Sequence, residues 1–282
     1  GSIRVPASYN ALFGLRATHG IISCDNMVAL APSFDTIGWM CKSIENLYRV
    51  AQVLLPKSQS NKINTMEDQK DSVYAKILNN PRIYKTNKPI DKAEQGLDIE
   101  SWIKSLSNAS ITASDEFDLD SLRTSETFRI LQGYEIWQQH GKWITEQQPR
   151  FADDVHARFM WCKSLSRDQQ QRALQQQDVI NQELAAIFEN HDLMLIPTTP
   201  GRSPLLGQSP DSMASYREDL MSLTALAGLS GRPQIHLPLF TIEGAPCGLS
   251  LIGNKNSDLL LILLASELIK QSESFTLAKH TT

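Results

Sequence analysis

Short apolar runs alternate with longer stretches of helical periodicity along this 282-residue chain, and that interleaving limits the folds open to it. Residues 11–15, 192–196, 234–239 and 247–252 have the length and apolar density of strands, with 82–84 a shorter candidate. Residues 44–55, 90–107, 121–148, 166–190, 215–227 and 257–270 carry helical spacing. Ser43 is placed to cap the first of these helices, and Ser166 and Gln169 have capping-box spacing at the start of a glutamine-rich one. Helices set between short apolar strands predict an α/β fold with a partly parallel sheet. Residues 57–80 are polar and poorly patterned, which reads as a surface excursion. Residues 272–282 read as a frayed tail.

Composition narrows the functions. A net charge of −4 and a pI near 5.9 lack the basic bias that neutralising phosphates requires, so nucleic acid is not expected as a partner. Cys24, Cys41, Cys162 and Cys247 lie far apart, with no Cys-x-x-Cys pair and no histidine at ligand spacing. Reduced structural thiols are expected, with no metal site. No apolar run reaches the roughly 18–20 residues that span a bilayer, so no membrane contact is expected, and the cytoplasm is the expected location.

The first residues, Gly1-Ser2-Ile3-Arg4, stand where a helix can open, with Pro6 in its first turn. Taken alone, a serine after glycine at such a point is usually a cap, and Gly-Ser is also the remnant of many cleaved tags. The chemical interest lies in the backbone N–H groups of a glycine turn entering a helix, which can hold an oxyanion beside an attacking hydroxyl.

The wider pattern adds to those four residues. Gly1-Ser2-Ile3-Arg4-Val5-Pro6-Ala7, Gly14-Leu15-Arg16-Ala17-Thr18 and Ser33-Phe34-Asp35-Thr36-Ile37-Gly38 follow one another near the start. Pro197-Thr198-Thr199-Pro200, the stretch 231–238 and the stretch 244–253 follow near the end. In order and spacing these elements resemble the amidase signature family. The region 57–190 matches it in layout more than in motif.

The resemblance implies a single amidase-signature domain over residues 1–282, a twisted mixed β-sheet flanked by helices on both faces, with 57–190 helping to cover a substrate pocket. It implies a Ser–cis-Ser–Lys triad, with Ser2 as nucleophile and the Gly1 and Ser2 backbone in the oxyanion hole. The family's lysine and cis-serine precede the nucleophile, so they are expected ahead of Gly1, and residues 1–282 alone are expected to be inactive. The implied reaction is hydrolysis of a small primary amide to acid and ammonia through an acyl-serine, with no cofactor and no metal.

Gly228 departs from the asparagine many relatives carry. Residues 1–20, 128–144 and 228–234 look most like the indole-3-acetamide-type amidases, which favours an aryl-acetamide. Arg4 and Asp35 read as a structural ion pair or loop anchors, while Trp137 and Thr199 are candidates for the substrate pocket. Two alternatives stay open: the glutamine-hydrolysing subunit of a tRNA-dependent amidotransferase, and a non-catalytic amidase-like docking domain.

Overall fold

The protein is described here by a computed structural model covering residues 1–56, 74–209 and 211–272. The polar excursion expected at 57–80 lies outside these residues up to 73, and the expected tail lies outside them from 273. Helix α1 (Arg4–Tyr9) leads into β1 (Phe13–Arg16), followed by β2 (Gly38–Cys41) and α2 (Ile44–Leu54). Next come α3 (Ala75–Asn79), β3 (Arg82–Thr86), α4 (Asn87–Lys92), α5 (Gly96–Ser105) and β4 (Ser110–Ser114). Three helices follow, α6 (Thr124–Gln147), α7 (Asp153–Ser164) and α8 (Arg167–Asn190). The order closes with β5 (Leu193–Pro197), α9 (Ala214–Ser230), β6 (Gln234–Ile242), β7 (Ala245–Gly253) and α10 (Asp258–Gln271).

Seven described strands form one mixed sheet in the order β2-β1-β6-β7-β5-β3-β4. The β2, β1, β6, β7 and β5 neighbours pair antiparallel, while β5–β3 and β3–β4 pair parallel. The β6–β7 hairpin turns at Glu243 and Gly244, both at positive φ (47° and 80°), the conformation a two-residue hairpin turn needs. Among the described residues, no helix is long and apolar enough to cross a membrane.

Each face of the sheet buries its own core. On one, Leu15, Ile235, Leu251 and Leu195 from adjacent strands meet Leu47 and Ala51 of α2, Trp102 of α5 and Ile262 and Leu264 of α10. On the other, Met194, Ile196 and Ile252 meet Leu131 of α6, Ile180 and Leu184 of α8 and Leu226 of α9. Alternation along each strand produces this division, since neighbouring residues point to opposite faces. The expected sheet with helices on both faces is present.

Two caps match the sequence reading. The Ser43 hydroxyl accepts the Asn46 N–H, and Ser166 with Gln169 makes both bonds of a capping box. The stretch 90–107 differs, being two helices rather than one. Gly96 lets α5 fold back on α4: a Cβ there would stand 2.2 Å from the Ile90 carbonyl oxygen. At the start of α10 the Ser257 hydroxyl turns instead to the Asn254 carbonyl and does not cap the helix.

The second face is not apolar throughout. Gly38, Arg16, Gln234 and Ile252 form one cross-strand row, and Met40, Gly14, His236 and Ser250 the next. Helix α1 lies over these rows. The two glycines permit the approach, because a Cβ on Gly14 would meet the Ala7 Cβ at 2.6 Å, and one on Gly38 would meet the Leu15 oxygen at 2.6 Å and the Ile3 Cγ1 at 2.9 Å. Gly14→Ala is therefore expected to lift α1 and cost about 1–3 kcal/mol of stability, the usual range for overpacking. Urea denaturation checks it, and an unchanged midpoint would contradict close packing of α1.

Candidate functional site

Ser2 stands at the entrance to α1. The first helical bond runs from the Val5 N–H to the Gly1 carbonyl at 3.1 Å, followed by Ala7 N–H to Ile3 at 3.0 Å. The N–H groups of Ser2, Ile3 and Arg4 lie ahead of that first bond and point away from the helix body, so the turn presents donors and the positive end of a short dipole. The Ser2 side chain is exposed, while Ala7 and Ser8 in the next turn are fully buried.

Arg4 fastens this turn to the sheet. Its guanidinium is buried and donates from Nη1 to the Gln234 side-chain oxygen and from Nη2 to the Thr224 carbonyl at 3.0 Å. Burial first, and then the charge of Arg16, pushes its pKa down to about 9, which leaves it protonated at neutral pH. Arg16 stands directly opposite Gln234 on the neighbouring strand and donates to the Phe34 carbonyl at 3.2 Å. Burial lowers its pKa to about 10, against the opposing pull of Asp35.

Arg4 and Asp35 thus do not pair with each other. Asp35 holds its own loop, accepting the Leu30 and Ala31 N–H groups at 2.8 and 3.1 Å. The loop-anchor reading fits Asp35. Arg4 anchors a helix to a sheet.

Beneath the rest of α1 lies a belt of buried polar side chains. Ser8 and Thr199 share a hydroxyl hydrogen bond at 3.1 Å, and Thr199 donates to the Gly201 carbonyl at 2.7 Å. Thr198 binds His236 Nδ1 at 2.6 Å and the Ser250 hydroxyl at 2.7 Å. Gln95 reaches from the other side, its Nε2 donating to the Thr199 and Gly248 carbonyls at 2.9 and 3.1 Å. These six side chains, and Gln234 with them, are completely buried. Burial holds the His236 imidazole down to about 3, so it is neutral in the folded protein.

Thr199 is therefore beneath the helix that carries Ser2. Trp137 is elsewhere, at the junction of α6 and α7, where its ring covers Gly141 and lies 5.6 Å under the Lys163 ammonium. Loop 29–35 links the two regions, since His140 of α6 bonds the Ala29 carbonyl at 2.8 Å and Glu135 accepts the Ser33 N–H at 3.0 Å. A groove lined by Pro89, Ala93, Leu119, Pro200 and Leu223 opens beyond the Thr199 loop and does not include Ser2. Sequence reasoning missed Gln234, His236, Thr198, Ser250 and Ser8. The available signal was Gln234 and His236 two apart on an otherwise apolar strand, hence on one face.

Among the described residues no group of three or more His, Cys, Asp or Glu side chains could hold a metal ion, and no disulfide joins the four cysteines. What the arrangement offers is an exposed hydroxyl beside unpaired backbone donors, above a rigid and partly cationic support.

Comparison with known proteins gives the same direction. The family described as Amidase matches residues 1–262. The chain is 30% identical to Amidase 1 of Arabidopsis thaliana, over 95% of this chain and 67% of that protein. It is 22% identical to Outer envelope protein 64, chloroplastic, of the same plant, over 93% of this chain and 47% of that protein. Among solved structures, a crystal structure of amidase superposes with a TM-score of 0.74 at 20% identity, covering 96% of this chain and 60% of that one. The chain thus spans about half to two-thirds of the length of these proteins.

The belt generates a stability prediction. A histidine held neutral, with its folded pKa near 3 against an ordinary 6.5, contributes fully above pH 6.5, and its contribution is lost as pH falls toward the folded value. Between pH 6.5 and 5 this group alone should lower unfolding free energy by up to about 1.4 kcal/mol per pH unit. Urea titrations across that window should show the slope in the wild type and its loss in His236→Gln. Equal slopes would contradict the buried neutral imidazole.

Proposed function

This chain belongs to the amidase family, and from that membership we propose that it carries the acyl-accepting half of an amide hydrolase, with Ser2 as the nucleophile. The observation that supports the reading best is the position of Ser2: exposed, at the mouth of α1, beside backbone donors with no helical acceptor. The cap position of α1 falls on Ile3, whose side chain cannot accept a hydrogen bond, so Ser2 is not the residue that caps the helix.

In this mechanism the Ser2 Oγ forms a bond to the amide carbonyl carbon, and the carbonyl electron pair moves onto oxygen. The Gly1–Ser2 turn holds that oxyanion. One donor of this type is typically worth about 2.7–4 kcal/mol of transition-state stabilisation. The Ser2 proton passes to a serine and lysine that, by resemblance to the family, precede the nucleophile. Collapse breaks the C–N bond, the nitrogen takes the proton and leaves as ammonia, and water then cleaves the acyl-Ser2 ester to give the acid.

The proposed substrate is a small primary amide of the aryl-acetamide kind, on the strength of the resemblance of residues 1–20, 128–144 and 228–234 to the indole-3-acetamide-type amidases. Thr199, bonded to Ser8 below the nucleophile's helix, borders the pocket in this reading. Trp137 and the helices of 124–190 form its cover, joined to the nucleophile's side of the sheet through loop 29–35.

Two polypeptides separate this reading from its rivals: residues 1–282 alone, and a longer one that places the family's N-terminal segment ahead of Gly1. Only the longer one is expected to release ammonia from phenylacetamide or indole-3-acetamide, and Ser2→Ala in it should lower kcat by at least about 10⁴-fold. Equal turnover by the two polypeptides, or an active Ser2→Ala variant, would contradict the assignment.

A further inference from the structure

The groove beyond the Thr199 loop lies between α4 and α9, and Pro89, Ala93, Leu119, Pro200 and Leu223 give it an apolar lining. Its Pro200 wall is held in place from α4–α5: the Glu94 N–H donates to the Pro200 carbonyl at 2.8 Å and Gln95 Nε2 to the Thr199 carbonyl at 2.9 Å. A preformed apolar concavity with a few convergent polar groups is the usual form of a small-molecule site.

The polar groups here are two lysines and three aspartates. Both lysines are already neutralised, Lys88 by Asp118 at 2.6 Å and Lys92 by Asp120. Asp118 also accepts the Ser121 hydroxyl at 3.0 Å and the Asp120 N–H at 3.1 Å. Asp219 is left over. Among the described residues its carboxylate makes no ion pair and no hydrogen bond. Burial raises its pKa against the pull of Lys92, and Asp120 and Glu218 add to the rise.

Ser222 follows Asp219 by three residues on α9, so the two side chains share a helix face with Cβ atoms about 5–6 Å apart. Ser222 is 7% exposed, and it lines both this groove and the adjoining chamber beside Glu126 and Glu218. Hydroxyls elsewhere on α9 bond back to the preceding turn, Thr224 to the Leu220 carbonyl and Ser230 to the Leu226 carbonyl, both at 2.8 Å. The Ser222 hydroxyl makes no such bond and has no partner among the described residues, although its carbonyl accepts from Thr124 at 3.2 Å. A buried hydroxyl without a partner is costly, and so is a partly buried carboxylate without a counter-charge.

One chemical group satisfies both. An anion would meet carboxylates that outnumber the lysines, and a metal ion would lack the third acidic ligand that no described cluster supplies. An ammonium group donates to carboxylate and hydroxyl together, and an apolar body attached to it covers the lining. We infer that this groove binds a small organic ammonium ion, its N–H groups on Asp219 and Ser222 and its ring or chain against Leu119, Pro200 and Leu223. The site is separate from Ser2 and stands whether or not Ser2 is a nucleophile.

Calorimetry on the 282-residue chain at neutral pH tests it with three ligands of similar size: phenethylammonium, neutral 2-phenylethanol and anionic 3-phenylpropanoate. Phenethylammonium should bind at least about tenfold more tightly than either of the others. Asp219→Asn keeps the shape and removes the charge, and should weaken phenethylammonium at least about tenfold while 2-phenylethanol changes by less than about twofold. Ser222→Ala should weaken phenethylammonium by about threefold to tenfold, and serves if Asp219→Asn does not fold. Equal affinity for the ammonium and the alcohol, or wild-type phenethylammonium binding in the folded variants, would overturn the inference. Absence of saturable phenethylammonium binding by the wild type would overturn it as well.

Discussion

A guanidinium withdrawn from water fastens the first helix to the centre of the sheet, and the geometry of the turn that carries Ser2 depends on it. Arg4 reaches β6 through Gln234 and α9 through the Thr224 carbonyl, so one side chain joins the first helix to two elements more than 200 residues further along the sequence. The helix itself has six residues and could not persist alone, since isolated helices of this length do not survive in water. Its order comes from the clamp, from Ala7 seated on Gly14, from Ile3 against Gly38, and from the Ser8–Thr199 bond at its far end.

That arrangement explains why one face of the sheet carries a polar patch beneath α1, where the other is a continuous aliphatic core. A helix lying flat on strands needs small residues below it, and the space between larger groups is filled here by side chains that hydrogen-bond one another. Gln95, Thr198, Thr199, His236 and Ser250 form such a set, drawn from α4–α5, the β5 loop, β6 and β7. The hydrogen bonds made here fix a geometry that apolar packing would let slide, although Gln95 Oε1 and His236 Nε2 are buried without a partner. A nucleophile that must meet a carbonyl within a fraction of an ångström gains from such a support.

Much of the fold was legible in the sequence because its central elements carry strong periodic signals. The strands β5, β6 and β7 and the helices α2, α6, α8 and α10 lie where apolar spacing, Ser43 and the Ser166–Gln169 box place them. The edge strands β2 and β4 did not show themselves: they are four and five residues long, and β4 is mostly solvent-facing, so neither presents an apolar run. Helix α7 was missed for a related reason, since Cys162 is its one fully buried residue and its aromatics face solvent or a neighbouring helix. At the site, Ser2 was legible through its motif. Gln234 and His236 were not, because polar residues on a strand normally point to water, and here a helix contributed by the other end of the chain covers them.

The account therefore centres on one covalent event at one residue. An alkyl fluorophosphonate reacts with activated serines and leaves a permanent mass tag, so the longer polypeptide, treated with one equivalent and digested, reports any activated serine directly by mass spectrometry. The expected result is a single modified peptide containing Gly1 to Arg4, with the adduct on Ser2 and loss of labelling in Ser2→Ala. An adduct on any other serine, or undiminished labelling of the Ser2→Ala variant, would contradict the account.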